Sequence, residues 1–175
     1  MSESDLMTTA ERFFHGLAES IFQVKLGVAD VDLVDYISDL MLRFTRTDAM
    51  YRVRTAGGRP AMHVVDMLIE AEKRIGLARR EVHRHIGDFT LFWLGMYPES
   101  VRRLQSRDKI DHFVHYIDQG KRAYRIASEI EGGEDRPPCG LLSQLSDRFE
   151  MCAYGLREVR RELEDGEDAG TTLLI

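Results

Sequence analysis

The chain has little cysteine: Cys139 and Cys152 are the only two in 175 residues. No pair stands at the short spacing that marks a zinc or redox site. On one continuous helix the two would lie roughly 20 Å apart by rise alone, too far for a disulfide. That suits a reducing compartment. Proline is nearly as sparse, at positions 60, 98, 137 and 138, which leaves room for long helices, since proline removes a donor and clashes inside them. Lysine occurs only at 25, 73, 109 and 121. The arginine bias reads as codon usage of a GC-rich bacterial genome, anion recognition by guanidinium groups being the functional alternative.

Other absences exclude whole classes. The net charge of −6 and pI near 5.5 argue against general nucleic-acid binding, which rests on neutralising phosphates. The longest apolar-dominated run, Phe89–Tyr97, falls far short of the roughly 20 residues of a membrane span. The N-terminus MSESDLMTTAERFF lacks a basic stretch followed by an apolar core, so no secretory signal is expected and the location is expected to be cytoplasmic. There is no Gly-x-Ser-x-Gly and no Walker pattern around Ala56-Gly57-Gly58-Arg59-Pro60. Nor is there any Glu-x-x-His, which di-iron bundles require on two helices.

What is present is helical periodicity in an ordinary globular composition, 43% apolar and 31% charged. The pattern predicts an all-α, single-domain bundle of six to seven amphipathic helices over residues 1–164. The tail 165–175 is expected to be disordered. Thr8 and Glu11 fit a capping box, followed by Ala10, Phe13, Leu17, Ile21 and Val24, with a stop at Gly27. Asp30 suits the cap of a second helix with Leu33, Ile37, Leu40 and Phe44 on one face. Residues 51–55 alternate like a short strand. Pro60 fits the first turn of a third helix through Ala61, Val64, Val65, Leu68, Ala71 and Ile75, ended or kinked at Gly76. Val82, Ile86, Phe89, Trp93 and Met96 mark a central helix over about 78–97, apolar nearly all round toward its end. Pro98 stops it and opens a short helix to Arg107. A helix from about Lys109 follows, then the loop Glu131–Pro138, then one last long helix through Leu142, Phe149, Cys152 and Leu163.

Three groups of polar residues could carry chemistry. Glu81, His85 and Asp88 share a face of the central helix at i, i+4 and i+7. With His63 and Asp66 from the preceding helix they could form a divalent-metal or acid–base site. A structural network explains the same residues: Asp88 paired with an arginine, His85 donating to a carbonyl. Asp108, Asp111, His112 and His115 form a second cluster, facing away from the apolar stripe as a solvated face would. Arg43, Arg46, Arg52, Arg54 and Arg59, with one acid among them, could meet phosphates or an acidic partner. Cys152 lies on an apolar stripe and reads as a small core residue.

Arg84–Glu99, RHIGDFTLFWLGMYPE, resembles a segment of bacterial all-helical proteins to which no activity is attached. Asp39–Tyr51 and Gln119–Ser128 add to the likeness. The resemblance implies a bacterial cytoplasmic protein and no chemistry. With helices well specified and no catalytic motif, the expected function is a non-enzymatic binding or interaction module without a cofactor, self-associating as a homodimer or bound to a protein partner. The metal-dependent or acid–base enzyme is the alternative.

Overall fold

The computed structural model describes residues 3–107 and 112–172, and over these the fold is all-α. Helix α1 (Glu3–Ala18) runs into a π-helical stretch (Glu19–Lys25). Helices α2 (Val31–Phe44), α3 (Thr47–Met50), α4 (Val64–Glu72) and α5 (Gly76–Met96) follow. Then come α6 (Pro98–Arg107), α7 (His112–Ser128), α8 (Cys139–Asp147) and α9 (Phe149–Thr172). The described residues thus hold more helices than the predicted six to seven, because the expected last helix is divided and the short α3 is added.

Helix α5 is the axis. It packs against α7, α9, α4, α6 and α2, and nearly every residue from Arg80 to Met96 is buried. Close approach needs small residues: a Cβ built at Gly87 would stand 2.6 Å from the Tyr124 ring on α7. At its C-terminal end Arg160 of α9 donates to the Met96 carbonyl at 2.8 Å and pairs with Glu99 at 2.6 Å. A cation is favourable there because the last carbonyls of a helix lack partners and carry its negative end. Lys25 meets buried Glu158 at 2.7 Å and so ties the π-helical stretch to α9.

Local chemistry explains most boundaries. The Asp30 carboxylate accepts the Leu33 N–H at 3.1 Å, the cap its position predicts. Gly27 has φ +69°, a left-handed conformation that favours glycine. Helix α5 ends at Met96, before Pro98. Other boundaries move. The first helix begins at Glu3, which puts Thr8 inside it and not at its cap, and Thr9 donates to the Asp5 carbonyl at 2.8 Å. The π-helical stretch shifts the apolar stripe, burying Ile21 and Phe22 and leaving Phe13 and Val24 exposed. Pro60 does not open a helix: it bridges Arg54 in a short turn closed by Ala61 N–H to Val53 O at 2.8 Å. Helix α4 starts at Val64 and buries Val64, Met67, Glu70 and Ala71, while Val65 and Ile75 face outward. The expected last long helix breaks at Arg148 into α8 and α9, and α9 then stays helical past Asp165 to Thr172.

Candidate functional site

Helix α5 places Asp88 at the junction of α2, α5 and α7, where it is 1% exposed. The hydroxyls of Tyr36 and Tyr124 donate to one carboxylate oxygen at 2.6 and 2.7 Å. The other oxygen receives the Arg43 guanidinium at 3.1 Å and faces Arg84 at 4.0 Å. Burial alone would raise this carboxyl; the two guanidiniums and two tyrosyl donors outweigh it and hold it below the usual range. The same burial, beside the carboxylate, pushes both tyrosines well above their ordinary values. Asp88 is therefore ionised and saturated, a charged pin through three helices.

Its expected companions do not converge on it. Glu81 pairs with Arg80, Arg84 and Arg136 at 3.2, 3.7 and 3.7 Å. His85 packs between Phe44 and Phe89, with ring centroids 5.9 and 6.3 Å away. One of its nitrogens donates to the Met50 carbonyl and Nε2 has no partner. Burial pushes its pKa down to about 4, so the ring is neutral at pH 7. His63 is exposed at the start of α4 and makes no capping bond, and Asp66 lies in that helix's first turn. Among the described residues no three His, Cys, Asp or Glu side chains gather as a metal site would need.

The arginine set is dispersed in role. Arg43 belongs to the Asp88 junction and also binds Asp39 at 2.6 Å. Arg46 pairs with Asp48 at 3.2 Å. Arg52, Arg54 and Arg59 are exposed around the short turn before α4. Asp108 and Asp111 lie outside the described residues, as do the side chains of His112 and His115. Both cysteines are free thiols, and burial pushes Cys152 up to about 12, far from a thiolate at neutral pH.

Two α5 residues outside these groups have larger consequences. Arg80 is fully buried. It donates to the carbonyls of Ile130, at 2.7 Å, and Pro137, which clamps the loop between α7 and α8 onto α5. His83 lines a cleft of about 270 Å³ between α4, α5 and α7. Leu68, Ile69 and Glu72 line one wall, and Gln119, Arg122, Ala123 and Ile126 the other. His83 is 2% exposed, yet neither ring nitrogen has a hydrogen-bond partner among the described residues. Burial, reinforced by Arg79, pushes its pKa down to about 4. Sequence periodicity carried a hint, since His83 stands three residues before Ile86, but nothing in it distinguishes a cleft lining from core.

Compared with protein-family models, curated proteins and solved structures, the chain matches none. The function therefore has to be read from the residues themselves.

Proposed function

We propose that the protein is a non-catalytic helical module that self-associates through the outer face of α4. The observation that carries this reading is a run of exposed apolar side chains. Met62, Val65, Ile69, Ile75 and Leu77 are 55, 60, 50, 87 and 39% exposed. Val65 and Ile69 stand at i and i+4 and so share a helix face. A cluster of apolar side chains left in water is a common mark of a protein interface.

Charge at the rim favours a second copy as the occupant. The flank of α4 carries acids, Asp66 and Glu72, and bases, Lys73, Arg74 and Arg79, of which Lys73 and Arg74 also meet Glu70 and Arg79 meets Glu72 within the chain. A two-fold contact places the same patch on both partners, so a border with both signs can pair with itself. The catalytic candidates support the non-catalytic part: Asp88 is buried with both carboxylate oxygens hydrogen-bonded, and Glu81 is held by three arginines.

Native mass spectrometry and sedimentation velocity test the reading. The expected result is a dimer that Met62→Glu/Val65→Glu converts to a monomer with unchanged helicity. A wild-type protein that stays monomeric at its highest soluble concentration overturns it. A bound metal lost on His85→Ala would instead favour the enzyme alternative.

A further inference from the structure

We infer that the cleft between α4, α5 and α7 is a binding site for a small carboxylate with a short apolar body. This goes beyond self-association and stands on different residues. A buried polar group without a partner is uncommon and costly, and His83, which lines the cleft, has two such atoms among the described residues. A neutral imidazole offers one N–H donor and one acceptor, and His83 is neutral at pH 7 because burial holds its pKa near 4. Its neighbours among the described residues leave these atoms unsatisfied and sealed from water; a ligand oxygen would satisfy the donor once the lining shifts to expose the ring.

The surrounding charges select the kind of oxygen. Arg122 on the α7 wall is exposed and has no ion-pair partner among the described residues. Arg79 beside His83 is paired with Glu72 at 3.5 Å, so Glu72 is already answered and Arg122 is the cation left to receive a charge. A planar guanidinium matches a carboxylate with two parallel N–H···O bonds. Gln119 adds an amide on the same wall. The remaining lining is hydrocarbon: Leu68, Ile69, Ala123 and Ile126. Apolar walls with a few convergent polar groups are the usual make-up of a small-molecule site.

Volume sets the size. The cleft holds about 270 Å³, the share of roughly nine liquid waters. That admits a carboxylate of hexanoate or benzoate size. The head would lie against Arg122 and the His83 N–H, and the body against Leu68, Ile69 and Ile126. Association and ligand binding meet at Ile69 and at Glu72, which border both surfaces. Met62 and Val65 lie outside the cleft lining, so their variants leave the ligand site intact.

The test is an NMR titration of the full chain with hexanoate and benzoate, using 1-hexanol and inorganic phosphate as controls. The expected result is saturable millimolar or tighter binding, with shifts confined to 68–72, 83 and 119–126. Binding should weaken at least tenfold in Arg122→Gln, which alters an exposed side chain and should leave the fold unchanged. His83→Leu should weaken it as well. Met62→Glu/Val65→Glu should bind carboxylate normally, so a monomeric protein that still binds separates the two proposals. No saturable shift with either carboxylate overturns the inference. Equal binding of 1-hexanol, equal binding of phosphate, or an unchanged affinity in Arg122→Gln overturns it too.

Discussion

Asp88 and His83 are both buried titratable residues on one helix, five positions and about 140° apart. Their surroundings are opposite. Asp88 has both carboxylate oxygens hydrogen-bonded, one by Tyr36 and Tyr124 and the other by Arg43, with Arg84 a further charge at 4.0 Å. His83 has neither nitrogen answered. A saturated buried charge holds helices together and has little capacity left for a ligand. An unsaturated buried ring contributes little to holding the fold and has capacity to spare. Burial and a shifted pKa mark functional sites only probabilistically, and hydrogen-bond saturation separates the two cases here.

The largest expected effect comes from emptying the saturated side. Asp88→Ala takes the buried carboxylate from Arg43 and Arg84, which keep only Asp39 and Glu81, and strands two buried hydroxyls. Removing one member of a buried charge network typically costs about 3–5 kcal/mol, a large part of a domain's total stability. Urea denaturation should show a loss of that size, with Asp88→Asn losing less because the amide oxygen still accepts. A loss under about 1 kcal/mol would mean that surface salt-bridge behaviour applies, not that of a buried pin.

Acid separates the two residues by pH window. His83 and His85 are held near pKa 4 in the folded chain against 6.5 ordinarily. Between these values the unfolded chain binds more protons, so stability falls as pH drops from 6.5 toward 4. Each ring accounts for about 3 kcal/mol across the window, at 1.36 kcal/mol per pKa unit. Asp88 has a folded pKa below its ordinary 3.8, so its contribution is lost only as pH falls below that value. Stability measured against pH should therefore decline in two stages. A profile flat from pH 6.5 to 4 would show that neither imidazole is held neutral.

How far these contrasts could be read from sequence depends on the range of the interactions. Elements set by neighbours in the chain were legible: the Asp30 cap, the Gly27 turn, the Pro98 stop and the buried run of α5. Boundaries set by distant packing were not. The break at Arg148 has no glycine or proline to announce it, and the π-helical stretch shows only as a stripe whose register slips. The same holds for the site. Asp88 stood out as a carboxylate entering an apolar segment, but Tyr36 and Tyr124 lie 52 and 36 residues away. His83 drew no notice because its signature is the absence of partners, and a linear pattern does not display absent partners. Arg80, one of an adjacent arginine pair, hid its burial in the same way.

Crowding offers a milder probe of the saturated side. Gly87 faces the Tyr124 ring so closely that an added Cβ would meet it at 2.6 Å. Gly87→Ala should displace Tyr124 and its bond to Asp88, at a cost of about 1–3 kcal/mol typical of overpacking. The near-ultraviolet tyrosine signal should change while helicity holds. Gly87→Ala combined with Tyr124→Phe should then show coupling, because the two changes strain one contact.

The smallest effect has the opposite sign. Leucine at position 83 would remove two buried polar atoms that have no partners and keep an apolar side chain in roughly the same space. Leaving such atoms unpaired costs about 1–3 kcal/mol, and part of that should return as added stability, on the order of 1 kcal/mol. Most core substitutions destabilise, so a gain marks a residue kept for something other than the fold. The measurement is the urea midpoint of His83→Leu against wild type without ligand, repeated with hexanoate. The variant should be the more stable of the two in buffer. The advantage should shrink when hexanoate is added, because wild type gains more from binding. If His83→Leu is destabilised in both conditions, the ring is a structural residue with satisfied bonds, and the contrast between the two faces of α5 disappears.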